Sequence, residues 1–303
     1  MAGSKTWFSR SWPDRCFDLF NFMFMIFVLV ITLYPFLHVL AISLNDSTDT
    51  VRGGIHIWPR QFTLANYEVI FQYDTLLTGF RNSVLRTIVG TALGLISASM
   101  LAFTLSRRDF QARKFISVFL ALTLYFSGGL IPVYMLIRDL GLMNSFWVYV
   151  FPGMVNAFFV FVIRSYIDGL PYSLQESAKL DGANDFVIYW RIIMPLSKPV
   201  LATIALFIAV GQWNAWFDTY LYNGSARHLT TLQFELMKVL ESTTTSGSSQ
   251  DFRGQNMTEV MARVSPESVK MAITIVVTVP ILLVYPFLQR YFVKGMTLGA
   301  VKS

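Results

Sequence analysis

Cysteine is nearly absent: the 303-residue sequence holds one, Cys16. That excludes an intrachain disulfide and any cysteine-based metal site. Histidine is almost as scarce, and His38, His56 and His228 lie far apart, so no metal-ligating cluster is visible. There is no G-x-x-x-x-G-K-[ST] run, and so no phosphate loop with which to hold ATP. Charge is also sparse, at 14% of residues, and it gathers between apolar runs. Pumps and ion-coupled carriers place Asp, Glu or His relays at the centres of such runs. Here only His38 comes close, and a lone histidine in a span is more often packed or hydrogen-bonded. A sodium site built from backbone carbonyls stays open. No constellation of nucleophile, base and metal is seen, which argues against a membrane-embedded enzyme.

What the chain does have is apolar length. It is 54% hydrophobic with a mean hydropathy of +0.52, more than a soluble domain of this size would carry. The fold class is therefore an all-α polytopic membrane protein. With about 20 apolar residues needed per span, six transmembrane helices are expected, at about 17–43, 83–105, 115–137, 145–167, 200–220 and 269–292. Pro35 is expected to kink the first, and Gly128, Gly129 and Pro132 lie inside the third. The first run is too long, and lacks the small-residue cleavage pattern, to be a removable signal peptide. The domain reading is a cytoplasmic N-terminal segment, 1–16, followed by a transmembrane domain, 17–303.

Basic residues set the topology. Lys5, Arg10, Arg15, Arg107, Arg108, Arg113, Lys114, Arg164, Lys179, Arg191, Lys198, Arg290, Lys294 and Lys302 fall on one side, while Arg52, Arg60, Arg81, Arg138, Arg227, Lys238, Arg253 and Arg263 fall on the other, mostly in long segments that count for less. The positive-inside rule puts the first side, with both termini, in the cytoplasm. The net charge of +6 then reads as membrane anchoring rather than nucleic-acid binding.

One cytoplasmic loop, 171–199, is polar and structured. Ser173 with Glu176 three residues later fits a capping box. The short helix should close at Asp181-Gly182, where glycine takes the left-handed conformation. Asn184 or Asp185 can cap a second helix, on which Phe186, Tyr189, Trp190 and Ile193 share one face. Those aromatics are expected to pack on the protein's own spans, and Pro195 and Pro199 to stop the helix. Two stiff helices with a glycine bend suit docking to another protein; an ordinary loop between spans is the plain alternative.

The residues Glu176-Ser177-Ala178, Asp181-Gly182-Ala183 and Pro195 resemble the "EAA" signature of bacterial ATP-binding-cassette importer permeases, with Ser177 in place of the first alanine. The resemblance covers nearly the whole chain and is similar to the MalG-like carbohydrate type. Residues 128–152 and 288–303 resemble its LplC/YtcP-like and alginate-importer branch. It implies a type I importer permease fold in the bacterial inner membrane. It also implies a second homologous permease as a heterodimer partner, two cytosolic ATPase subunits and an extracytoplasmic solute-binding protein. The chain itself would bind no cofactor, since ATP and Mg would sit on the ATPase. Glu176, Ser177, Ala178, Asp181, Gly182 and Ala183 would couple to that ATPase, whose closure would move the docking helices and flip the permease. The implied cargo is an oligosaccharide, complex or uronate-containing. An ion-coupled carrier, a channel, or a permease for another solute are the alternatives.

For a sugar path, Trp213, Trp216 and Tyr220 share a face at spacings of three and seven, with Gln212, Asn214 and Asp218 close by. Aromatic rings stack on sugars, while amides and carboxylates bond hydroxyls; an interfacial aromatic belt is the alternative. Tyr125, Ser127 and Tyr134 could line the same path. Asn156 would face the bundle interior or serve as helix glue. The long polar loop 221–268 reads partly as a short helix and partly as a flexible Ser/Thr/Gly run. In related permeases the corresponding loop meets the binding protein; a spacer is the alternative.

Overall fold

The computed structural model describes residues 12–71, 74–244 and 265–300. Among them there is no β-strand, only an isolated antiparallel bridge between Asn45 and Phe62. The chain divides into two compact units, residues 1–72 with 243–276, and residues 73–242 with 277–303.

The first unit is led by α1 (Trp12–Ser43), which runs through Pro35 without a break. Phe17, Phe20, Phe24 and Phe27 are all exposed along it. A helix apolar on every side belongs in lipid or in a larger assembly. The polar segment that follows is more ordered than its turn-rich sequence suggests. Asp46 caps α2 (Ser47–Thr50) by accepting from the Thr48 and Asp49 amides, and α3 (Ala65–Phe71) comes next. Asn66 Nδ2 donates to the Ser43 and Asn45 carbonyls, and Arg60 Nε reaches Asp49 at 3.0 Å. Buried amides are thus satisfied locally, as they must be. Ala41, Ile42 and Ile55 pack with Met271 in a small apolar cluster.

The second unit is built on α4 (Asp74–Ser106), against which α7 (Ala157–Asp168) and α11 (Lys198–Asn214) pack. Gly90, Gly94, Ala98 and Ala102 are buried on α4 at intervals of four. Such a stripe of small residues lets helices approach closely. A Cβ at Gly90 would lie 2.7 Å from Gln212 Nε2, and one at Gly94 would lie 3.5 Å from Ile208 Cδ1. The core beside the stripe joins Phe103, Val160, Ile163, Ile188, Tyr189, Ile193 and Ile204.

α1 and α4 are each long and apolar enough to cross a bilayer alone. The expected third, fourth and fifth spans are not single helices. The third is α5 (Arg113–Tyr125) and α6 (Leu130–Asp139), bent by 120°. Gly129, at φ +88°, takes a conformation open mainly to glycine, so the paired glycines break the helix instead of bending it. The fourth is a 3-10 turn, Phe146–Tyr149, an irregular stretch through Pro152 and Gly153, and then α7. The fifth stops at Asn214 and resumes as α12 (Phe217–Asn223). Next come a 3-10 turn, Arg227–Leu229, and α13 (Leu232–Thr244), with Leu232, Phe234, Leu236 and Val239 buried. The first half of the expected external loop is therefore packed structure, while its Ser/Thr/Gly run lies outside the described residues. α14 (Pro266–Ala300) runs through Pro280 and Pro286.

Candidate functional site

The knob after α7 is assembled by local chemistry. α8 (Ser173–Leu180) starts one residue earlier than a capping box requires, because Tyr172 occupies the N-cap position and offers no side-chain cap. Ser173 is already helical and Glu176 is exposed, its carboxylate making no hydrogen bond or ion pair among the described residues, so the expected capping box does not form. The C-terminal end is as the sequence predicts. Asp181 is the C-cap, Gly182 has φ +82°, and the Ala183 amide donates to the Ala178 carbonyl at 2.9 Å, a Schellman closure. Asn184 then caps α9 (Asp185–Ile188) by accepting from the Val187 amide at 2.9 Å.

Beyond α9 the helix widens into a π-turn, Tyr189–Ile193, and continues as α10 (Met194–Leu196), so Pro195 does not end it. The chain turns after Leu196, and the axis of 185–196 makes 83° with that of α11. The face expected for the aromatics is split, and the π-turn shifts the helical phase only from Tyr189 onward. Tyr189 and Ile193 are buried; the Tyr189 hydroxyl lies 2.7 Å from Ser99 Oγ and its ring 5.6 Å from that of Phe103. Phe186 and Trp190 are exposed instead and meet edge to face.

Of the six residues expected to couple, Glu176, Ser177, Asp181 and Gly182 are exposed. Ala178 and Ala183 are half-buried against the core. Leu180, which sequence reasoning passed over, is 89% exposed at the end of α8. An isolated apolar side chain held out on a capped helix offers contact area to a partner.

On its inner side the knob is held by charge. Arg107, one residue past α4, is buried. Its Nε and Nη2 donate to the two Asp109 carboxylate oxygens at 3.0 and 2.8 Å. Nη2 also lies 3.1 Å from Asp185, and Nη1 reaches Gln175 Oε1 at 3.5 Å. Lys179 Nζ sits 3.1 Å from Asp109 and 3.9 Å from Asp185. Hydrogen bonds from Arg107 and then Lys179 hold the Asp109 carboxyl well below the usual carboxylate range. The bond to Asp109 likewise raises the Arg107 guanidinium against the opposing effect of burial. Beside this cluster a cleft of about 310 Å³ is lined by Arg108, Arg113, Asp168 and Tyr172.

A second polar centre lies some twenty residues back along α4, roughly 30 Å from the knob at 1.5 Å per residue. Arg86 is 2% exposed. It donates to Gln212 Oε1, to the Ala215 carbonyl and to both Asp218 oxygens, with its guanidinium 4.4 Å from the Tyr149 ring centre. Gln212 Nε2 donates to the Tyr149 carbonyl at 3.1 Å. Arg86 is the fourth residue of the predicted second span, near its start and away from its centre, and was not singled out from the sequence. The signal was one arginine in an apolar run, and neither loop could claim it.

The structure sorts the expected sugar path. Gln212 and Asp218 come together, but around Arg86. The break at Ala215 separates Trp213 from Trp216 and Tyr220. Trp213 is buried, donating to the Val277 carbonyl at 3.0 Å and meeting Phe80 edge to face. Trp216 and Tyr220 do stay neighbours, with ring centres 6.5 Å apart. Asn214 is exposed at the end of α11. Tyr125 is exposed at the end of α5, and Ser127 Oγ accepts from the Gly129 amide within the break that follows. Tyr134 stacks on Tyr222 at 6.0 Å. Asn156 neither faces the bundle interior nor joins helices: it is the N-cap of α7, accepting from the Phe159 amide at 3.2 Å.

Among the described residues no group of His, Cys, Asp and Glu could hold a metal ion.

A family model described as "Binding-protein-dependent transport system inner membrane component" matches residues 1–298. LplC of Bacillus subtilis is 38% identical over 95% of this chain and 96% of its own length. The polygalacturonan/rhamnogalacturonan transport system permease protein YtcP of the same organism is 36% identical over 96% and 99%. Among solved structures, a bacterial ABC transporter involved in import of the acidic polysaccharide alginate contains a chain that superposes with a TM-score of 0.83 at 28% identity, covering 93% of this chain and 99% of that one.

Proposed function

Because the chain belongs to the family of binding-protein-dependent transport system inner membrane components, we propose that it works as follows. It is the membrane-embedded permease subunit of an ATP-driven importer of oligosaccharides and is not itself an enzyme; ATP is hydrolysed on a partner chain. The cargo is a complex or acidic saccharide of the uronate-containing class, a reading supported by the polygalacturonan/rhamnogalacturonan and alginate systems that it resembles.

In this reading the knob lies in the cytoplasm with both termini. It docks in a groove of one of two ATPase subunits, which carry the ATP and Mg. The observation that carries this is the knob's outer surface. Glu176, Ser177, Asp181 and Gly182 are exposed together with Leu180 and Phe186, on helices closed by a left-handed glycine and an asparagine cap. Small residues let a partner approach the backbone, Glu176 is free to meet a basic group, and Leu180 offers an apolar anchor. A second, homologous permease completes the membrane pathway, and a solute-binding protein delivers the saccharide from outside. Trp216, Tyr220 and the exposed Asn214 are the side chains best placed to meet it, with Tyr125 and Tyr134 on the α5–α6 pair.

The test is purification of the tagged chain from its native membrane in mild detergent, followed by mass spectrometry and an ATPase assay. A second permease and an ATPase are expected, with the ATPase lost on Glu176→Lys or Leu180→Asp while the second permease stays. A chain that carries no ATPase overturns the reading. The co-purified or neighbouring binding protein is then titrated with oligogalacturonate, alginate oligomers and neutral oligosaccharides of matched length. Preference for the neutral sugars overturns the acidic assignment.

A further inference from the structure

Arg107, Asp109, Gln175, Lys179 and Asp185 join three pieces of chain that sequence keeps apart. Arg107 and Asp109 stand directly beyond the end of α4, Gln175 and Lys179 on α8, and Asp185 at the start of α9. One buried guanidinium is therefore gripped from both sides of the Gly182 bend. Neither helix of the knob can shift without changing the surroundings of Arg107.

The members of this cluster carry unequal weight. Exposed ion pairs contribute little, and Asp109, Lys179 and Asp185 are all largely exposed. The buried partner reverses the weighting, because a buried charge stripped of its counterions is strongly unfavourable. The cluster is thus stiff where it meets α4 and open toward the partner's side. α4 in turn carries the small-residue stripe that seats α11, so a displacement at its end has a packed route to the rest of the unit.

We propose that Arg107, Asp109, Lys179 and Asp185 form a transmission link that passes displacement of the docking knob to α4. They act as positioning residues for transport, not as contacts to the ATPase or the cargo. The proposal rests on the reading that the knob docks the ATPase. It goes beyond that reading in naming the residues that carry the motion inward. Asp109 is the most informative of them, since it lies outside both helices of the knob and yet bonds to Arg107 and Lys179 together.

The experiment uses the assembled transporter in liposomes with its binding protein. Uptake of labelled oligogalacturonate per ATP hydrolysed is measured for Lys179→Gln, Asp109→Asn, the double variant and Lys179→Arg. Each neutralising variant keeps its ATPase bound and hydrolysing, while uptake per ATP falls by roughly fivefold, the size expected for a side chain within a coupling network. The double variant is no worse than either single one, because the two residues act through each other. Lys179→Arg keeps the charge and restores the ratio. Unchanged uptake per ATP in both single variants, or losses that multiply in the double variant, overturns the link and leaves the docking reading standing. Release of the ATPase by Asp109→Asn also overturns it, because the residue would then serve docking itself. Absence of an ATPase from the unaltered complex removes the docking reading and the link with it.

Discussion

Arg86 Nη2 lies 2.5 Å from Asp218 Oδ2, tying α4 to α12 across the break at Ala215. The same guanidinium donates to the Ala215 carbonyl, the backbone group that the break leaves near it. A broken helix at membrane depth is tolerated where its freed polar groups are satisfied by protein or by a water-filled cavity. Arg86 supplies that here. Asp218→Ala would leave a buried cation without its counterion, a loss of about 3–5 kcal/mol. Thermal unfolding in detergent should show it as a large drop in midpoint. Arg86→Met combined with Asp218→Leu should recover much of the loss, since apolar replacement of both partners is often close to neutral. A double variant as unstable as Asp218→Ala would mean that the Ala215 carbonyl, not the ion pair, is what Arg86 serves.

The crossing of α4 and α11 makes a second prediction. A methyl group at Gly90 would meet Gln212 Nε2 at 2.7 Å and its Cδ at 2.8 Å. A free glutamine could swing away, but this one is held by Arg86 and by the Tyr149 carbonyl. Gly90→Ala should therefore cost about 1–3 kcal/mol by overpacking, read as a lower unfolding midpoint. Gly90→Ala with Gln212→Ala should cost less than the sum of the two, because the neighbours are coupled. At Gly94 the nearest atom would be 3.5 Å away, ordinary contact, and Gly94→Ala should be mild.

Much of this was legible in the sequence, for physical reasons that also mark where reading failed. The Gly182 turn is legible, and the cap is legible to within Asn184 or Asp185, because each is a local signal that only a few residue types provide. The helical class followed from apolar length. The capping box failed because Ser173 and Glu176 have the right spacing but sit one position too far into the helix. Trp190 lies on the π-turn, whose wider winding shifts the phase on which a shared face is counted, and nothing in YWRII announces one; Phe186, ahead of that turn, faces out without such a cause. Trp213 failed in the same way, since the period of 3.6 was carried across a break. Arg86 and the Arg107 cluster depend on partners more than sixty residues away in sequence, and no local pattern contains that distance.

The Asp109 carboxyl makes a prediction about pH. Its folded value is depressed, first by Arg107 and then by Lys179. A depressed carboxyl stabilises the folded arrangement above the unfolded value of about 3.9 and loses that contribution only as pH falls through the folded value. The Asp109-dependent part of coupling should therefore stay flat from about pH 8 to about pH 5. The measurement is the difference in uptake per ATP between the unaltered transporter and Asp109→Asn across that range. A difference that titrates near neutrality would assign the effect to another group. Raised salt should reduce the difference, because the exposed Lys179–Asp109 pair is screened within about 10 Å at 0.1 M ionic strength.

Gly182 separates backbone geometry from contact. Its φ is +82°, and a Cβ there would meet no atom within 4 Å. Any effect of substitution must then come from the backbone, because there is nothing in this chain to clash with. Gly182→Ala should cost about 1–2 kcal/mol through the left-handed conformation alone, and Gly182→Val more, since a β-branched residue tolerates positive φ least. Gly182→Asn should cost least, since asparagine visits this region readily. If the knob docks an ATPase through a groove that closes on Gly182, the order changes. Asparagine and alanine then lose ATPase co-purification alike, because any side chain fills the space that the partner needs. An order of Asn, Ala and Val in both unfolding midpoint and ATPase retention assigns the glycine to the turn. Equal loss of the ATPase with unequal midpoints assigns it to the interface.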